Sequence, residues 1–241
     1  MRFLRDYADV ARISRGAVLL AFGAALVPSG ANAQDKKGEQ SAWVKLCEAA
    51  PMRKRGKDGK VTTEKKNICL THHERLDGNT GMVLVSAAIR KVEGNKNHSL
   101  MIMVPLGMAL KPGLRAAVYN KDLWKKAQAK EKIDEKKLRP MSLNYTLCHP
   151  AGCTAEIKAD DKLLKELRDG GGLMVLAINA VGKPVGFPVP LTGFSSAYDG
   201  KPVDNKLYAR ERGKLMAQIR ERQKKLIEAA RAKRKAATEK K

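Results

Sequence analysis

The stretch MVLVSAAIRKVEGNKNHSLMIMV, residues 82–104, decides the fold class. Its outer parts, Met82 to Ile89 and Ser99 to Val104, are nearly all Val, Leu, Ile, Met and Ala. Between them lies the turn-forming run Gly94-Asn-Lys-Asn97, and Pro105 stops the second part. Apolar runs this short, bounded by Gly, Asn and Pro, read as strands and not as helices. Their uninterrupted hydrophobicity predicts burial on both faces, as where one sheet packs on another.

The flanks extend the pattern. Trp43 to Cys47, Asn67 to His73, Met141 to Leu147, Thr154 to Lys158, Leu173 to Ala180 and Pro184 to Pro190 read as further extended segments between turns. Pro51 to Lys66 is basic and almost without apolar residues, which predicts an exposed hairpin tip or loop. Lys121 to Arg139 is rich in Lys, Glu, Ala and Gln, with a sparse stripe of Leu123, Trp124, Ala127, Ile133 and Leu138. It predicts one or two solvated helices that stop before Pro140. Asp160 or Asp161 can cap a short helix that ends at Gly170-Gly-Gly172. The predicted fold is mainly β: a sandwich-like antiparallel domain with short helical insertions and a long basic C-terminal helix.

That helix is read from Asp204 onward, where no Pro occurs and no Gly follows Gly213. Lys206 to Lys241 carries fourteen Lys and Arg against four Glu. Tyr208, Leu215, Ile219 and Leu226 form a heptad seam interrupted by Arg212 and Arg222, so a coiled coil is poorly specified. The plainer expectation is that the first turns dock on the domain while the last lie in solvent.

At the other terminus, Arg2, Arg5, Arg12 and Arg15 precede twelve uncharged residues, Gly16 to Val27, and then Pro28-Ser-Gly30 and Ala31-Asn-Ala33. Charged start, short apolar middle and small-x-small exit predict a signal peptide cut after Ala33. Twelve helical residues rise about 18 Å, too little for a hydrocarbon core of about 30 Å. The expected organisation is a signal peptide at 1–33, a disordered mature N-terminus at 34–41, a β-rich domain at 42–200 and a basic helical tail at 201–241. No transmembrane span is expected after cleavage, and the expected address is the periplasm or cell envelope.

Export bears on the cysteines. Cys47, Cys69, Cys148 and Cys153 allow three pairings as two disulfides. Spacing points to Cys47–Cys69 and Cys148–Cys153, the second closing a turn that contains Pro150 and Gly152. A zinc site from Cys69, His72, His73, Cys148 and His149 lacks an anchoring CxxC pair. A redox pair lacks the same spacing.

The formal charge of the whole chain is +23. The leader holds four arginines against Asp6 and Asp9, so +21 would remain after cleavage. Such an excess predicts an anionic envelope lipid or glycan, or an envelope protein, as partner. Only 5% of residues are aromatic, which argues against base-stacking, and export argues against nucleic acid altogether. The expected contact is the tail, through Arg220, Arg222, Lys224, Lys225, Arg231, Lys233, Arg234 and Lys235.

No catalytic set assembles, and neither cofactor nor metal is expected. Gly193-Phe-Ser195-Ser-Ala197 fails the nucleophile-elbow pattern at its fifth place. The triple glycine at 170–172 precedes an apolar strand and lacks the Lys-Ser/Thr of a phosphate loop. His72-His73-Glu74 could form a base cluster, but neighbours on a strand point to opposite faces, so a solvated strand end is expected. His98 is expected in a turn. The triplets at 97–99 and 144–146 match the glycosylation pattern only by a common coincidence.

Several segments, in order, are similar to the invasion-associated locus B family of bacterial exported proteins. These are Trp43 with Cys47 and Cys69, the apolar run at 82–89, and Met103-Val-Pro-Leu-Gly107-Met-Ala-Leu110-Lys-Pro-Gly113. Cys148-x-x-x-Gly152-Cys153-x-Ala155 and Gly186-Phe-Pro-Val-Pro-Leu-x-Gly193-Phe194 follow. The resemblance covers roughly 43–198 and implies a mainly β, periplasmic or surface-associated domain without established catalytic residues. Founding members are linked to bacterial entry into host cells. Against that pattern, Lys121 to Arg139 reads as an insertion and the basic helix as an extension. The function expected is thus non-enzymatic binding of anionic envelope or host components. The alternatives are an assembly or chaperone-like partner in the periplasm, and an enzyme centred on His72, His73 and Glu74.

Overall fold

The computed structural model describes residues 43–56 and 58–238. The expected signal peptide and disordered segment lie outside the described residues. The chain runs β1 (Trp43–Arg55), β2 (Val61–Leu76), β3 (Val83–Val92), β4 (His98–Val104), β5 (Leu114–Tyr119) and α1 (Lys121–Gln128). It continues β6 (Met141–His149), β7 (Gly152–Ala159), α2 (Asp161–Asp169), β8 (Gly172–Ile178), β9 (Pro184–Pro190), α3 (Phe194–Asp199) and α4 (Asn205–Thr238). All nine strands join one antiparallel sheet in the order β1-β2-β3-β4-β7-β6-β5-β8-β9.

The sheet folds back on itself. A single buried cluster takes Val85, Ala87 and Ile89 from β3, Leu100, Ile102 and Val104 from β4, and Leu173, Val175 and Val189 from β8 and β9. Its two edges approach each other: the Trp43 indole N–H donates to the Pro190 carbonyl at 2.8 Å, and its ring meets Phe194 edge-on at 4.9 Å. The mainly β, sandwich-like fold expected from the sequence is what the chain adopts.

Strands β3 and β4 alternate between buried and half-buried residues, so they are not covered on both faces. On the outer face Arg90 of β3 pairs with Glu156 of β7. Small and sulfur-containing residues such as Ala88, Met101 and Met103 fill outward positions that could have been polar, which hid the period of two.

Residues 51–66 differ more from expectation. The β1–β2 ladder continues without a break from Trp43↔His73 to Arg55↔Val61, leaving only 56–60 as the tip. Both faces of this arm are exposed, so backbone pairing sustains it and no hydrophobic pattern announces it. Between Lys121 and Arg139 only α1 and a single 3₁₀ turn at Glu135–Lys137 form. Leu123 and Trp124 are buried, so α1 is half-docked and not wholly solvated. The triple glycine gives Trp124 its seat: a Cβ on Gly172 would stand 2.2 Å from the indole.

The register sorts the connections into two ends. The β1–β2 tip, the β3–β4 turn and helices α1, α2 and α3 lie at one end. The turn at 77–82, the loop at 105–113, the β6–β7 hairpin and the turn at 179–183 lie at the other. This second end is joined by backbone bonds from Ala109 N–H to the Ile178 carbonyl and from Ala180 N–H to the Gly107 carbonyl.

Candidate functional site

Both disulfides join residues directly opposite each other in the ladders. Cys47–Cys69 ties β1 to β2, and Cys148–Cys153 closes the β6–β7 hairpin. Cys69 and Cys148 are thereby consumed, so they cannot serve the zinc set considered above. Among the described residues, no group of three or more His, Cys, Asp or Glu could hold a metal ion.

The histidines diverge, as the two-residue period of a strand requires. His73 faces the core, buried, with its ring 5.5 Å from that of Trp43. His72 and Glu74 share the outer face, where they meet α4. Neither histidine sits at a solvated strand end, because α4 covers one and the core takes the other.

The first five turns of α4 form a docked seam. Asp204 caps the helix by accepting from Leu207 N–H at 2.7 Å, and Val203 N–H donates to the Lys45 carbonyl at 2.8 Å. His72 Nε2 and the Tyr208 hydroxyl are hydrogen-bonded at 3.0 Å. Arg212 donates through Nη2 and Nε to one Glu74 oxygen at 2.7 and 3.1 Å. Met216 and Ile219 then lie over Gly81, whose φ of +72° also suits the turn it occupies. A Cβ on Gly81 would stand 3.0 Å from Met216 Cε and 3.3 Å from Ile219 Cγ2. An added methyl would make both side chains give way by a few tenths of an ångström.

Burial shapes the electrostatics of the seam. It holds the His72 imidazole below its ordinary pKa; Arg212 adds to this and Glu74 opposes it. It pushes the Tyr208 hydroxyl upward. The Glu74 hydrogen bonds hold Arg212 in its charged form.

Tyr208, Arg212, Met216, Ile219 and Gln223 are the covered positions, at spacings of three and four. Of the expected heptad seam, Tyr208 and Ile219 dock and the other two positions are corrected. Leu215 and Leu226 are exposed, and Arg212, which interrupted that seam, is a docking residue. Of the expected contact residues, Arg220 and Arg222 fall in the docked part. Lys224, Lys225, Arg231, Lys233, Arg234 and Lys235 fall on an exposed arm beyond Gln223. Lys225 pairs within the helix with Glu221 at 3.0 Å.

A second polar cluster escaped the sequence reading. His98 is the first residue of β4, not a turn residue, and its Nδ1 lies 3.4 Å from the Tyr198 hydroxyl. Arg168 binds Asp199 through two nitrogens at 2.8 and 3.1 Å and stacks 4.7 Å over Tyr198. Lys45 Nζ donates to the carbonyls of Tyr198 and Gly200 at 2.8 and 3.0 Å. These groups line a cleft of about 370 Å³, but they satisfy one another and pin α3 to the sheet. Only their convergence in space reveals them, since they come from four distant segments.

Three comparisons bear on kinship. The family model of "Invasion associated locus B (IalB) protein" matches residues 120–202. Two proteins named "Invasion protein B homolog", from Brucella abortus strain 2308 and from Brucella abortus biovar 1 strain 9-941, are each 28% identical over 182 residues. Each alignment covers 75% of this chain and 86% of the relative. A crystal structure of invasion associated protein B from Bartonella henselae is similar at 22% identity and a TM-score of 0.42, over 69% of this chain and 99% of that one. The expected insertion at 121–139 falls inside the span that the family model matches, and the basic helix α4 falls outside it.

Proposed function

We propose, from the premise that this chain is similar to the invasion-associated locus B proteins, that it is an exported, non-enzymatic binding protein whose anionic partner is met by α4. One observation carries the reading. The helix is anchored as far as Gln223, is exposed from Lys224 to Lys235 and runs on to Thr238, with six basic residues over 224–238 against Glu228 alone. Fifteen helical residues reach about 22 Å past the anchor. An arm held straight at one end keeps its charges outward and loses little entropy on contact, which favours binding.

The enzyme alternative has no support in the geometry, because His73 and the His72–Glu74 pair lie on opposite faces. A chaperone-like use of a free sheet edge is also poorly served. At its start β1 accepts from Val203 N–H at Lys45 and from Asn205 Nδ2 at Cys47, and β9 carries Pro184, Pro188 and Pro190, which cannot donate. The relatives are named invasion proteins, and a part in host-cell entry belongs to the proposal on that similarity alone.

The test is truncation after Gln223, compared with the intact mature chain on heparin and on lipopolysaccharide. The truncated chain should elute from heparin at much lower salt while its thermal transition stays in place. Unchanged retention would move the contact elsewhere, with the basic β1–β2 arm as the next candidate. A cut at Gly213 would be a poorer test, since it removes the docked Met216 and Ile219.

A further inference from the structure

The end of the sheet where α4 leaves the domain has an unusual surface. Connections there normally carry polar residues, since loop tips meet water. Here Met82, Leu106, Leu110, Leu147 and Val181 stand at the four connections, each between 53 and 75% exposed. Across 77–82, 105–113, 147–153 and 179–183 the only Asp, Glu, Lys or Arg residues are Asp77, Lys111 and Lys183. Elsewhere the chain is densely charged, with 30% of its residues ionic. The tips are also held: the 105–113 loop is bonded to the 179–183 turn, and the β6–β7 hairpin is closed by Cys148–Cys153.

The basic arm departs from this same end. Ile219 sits over Gly81 in the 77–82 turn, and α4 runs outward from there. The face that docks through Met216, Ile219 and Gln223 continues past the turn as Leu226, Ile227 and Ala230, spaced three and four residues on. Leu226 and Ile227 are about half exposed. An apolar rim and a helix with apolar and basic sides thus share one end.

We propose that this end docks on an anionic lipid bilayer, with the apolar tips entering the interface and the basic arm of α4 meeting the headgroups. The inference deepens the preceding reading, on which it rests, by naming the partner as a lipid surface. A soluble polyanion would gain nothing from Leu106, Leu147 or Val181, whereas acyl chains would cover them. A second copy of the chain would bring like-charged arms together, and each arm carries a net +5 over 224–238. An anionic bilayer answers both features, because basic residues near its surface and apolar residues within it each add affinity.

The test uses the full mature chain and two kinds of variant. Leu106→Ser, Leu147→Ser and Val181→Ser are combined in one protein; all three positions are exposed, so the thermal transition should hold. Sedimentation is measured with phosphatidylcholine vesicles, with and without phosphatidylglycerol, and heparin retention is measured in parallel. The triple variant should lose about tenfold or more in affinity for the phosphatidylglycerol vesicles while retaining heparin as before. Separately, the Val181→Trp variant should shift its emission to the blue on vesicle binding, against the buried Trp43 and Trp124.

Vesicle binding by the triple variant equal to wild type, or no emission shift while bound, would overturn the inference and leave the anionic-arm reading intact. Heparin binding without vesicle binding would do the same. Failure of the wild type on heparin, lipopolysaccharide and vesicles would sink both. Self-association that the triple variant abolishes would make this end an interface between copies, against the proposal.

Discussion

Replacing Glu74 and Ile219 with alanine, singly and together, should release α4 from the domain without unfolding the domain. The Glu74 carboxylate side chain is 19% exposed, and its partner Arg212 is 40% exposed. Hydrogen bonds to charged groups contribute about 1.5–3 kcal/mol, and the exposure of Arg212 places this pair near the bottom of that range. Ile219 is 8% exposed and lies over the 77–82 turn at the end of the sheet, where collapse is easy. Truncating it should cost about 2 kcal/mol, the low end for Ile→Ala. Arg212, the helix partner of Glu74, and Ile219 are seven residues apart, about 10 Å along the helix, so the costs should add to about 3.5 kcal/mol. At 1.4 kcal/mol per factor of ten, protection of the α4 amides against hydrogen exchange should fall about 300-fold in the double variant. Amides of β3, β4 and β8 should keep theirs, because the buried cluster they build takes no residue from α4. Hydrogen exchange read by mass spectrometry decides it. Equal loss of protection in α4 and in the sheet would refute the reasoning, since α4 would then be part of the cooperative unit. Unchanged α4 protection would refute it from the other side.

Other outcomes follow from the same geometry. Because burial holds His72 below its ordinary pKa, the unfolded or undocked chain takes up the proton first as pH falls through about 6.5. The docking of α4 should therefore be fully present above that pH and weaken below it. Amide exchange of 205–222 at two pH values, corrected for intrinsic rates, checks the sign, and His72→Gln should flatten the dependence. Reduction of the disulfides should cost about 3 kcal/mol for Cys47–Cys69 and about 2 kcal/mol for Cys148–Cys153, from sequence separations of 22 and 5. Thermal unfolding after selective reduction should rank them in that order. Gly81→Ala should lower α4 protection, because its φ is strained for alanine and the new methyl meets Met216; full protection would show that the helix slides without cost.

How much was legible depends on what each segment buries. Strands β3, β4 and β8 were plain because Val85, Ile89, Leu100, Ile102 and Val175 build the core directly. The extension of the β1–β2 ladder was hidden because its side chains are solvated and only backbone bonds hold it. The helix after Asp204 was legible from composition, and Tyr208 and Ile219 of its expected seam do dock. Arg212 and Met216 were not legible as docking residues, because a guanidinium against the Glu74 carboxylate carries no hydrophobic signal and Met216 finds its place only over Gly81. His72 and His73 were separated correctly by strand period, yet what each would touch depended on α4 and on Trp43.

By itself the sequence determined the mainly β class, the charge excess, the spacing of the cysteine pairs and the basic helix, because these follow from local composition and period. Tertiary structure decided which face of α4 is spent on docking, which basic residues are left exposed, and which loop tips gather at one end. Those outcomes depend on strand order and register. They bring residues as distant as Met82, Leu147, Val181 and Ile227 to the same end of the molecule.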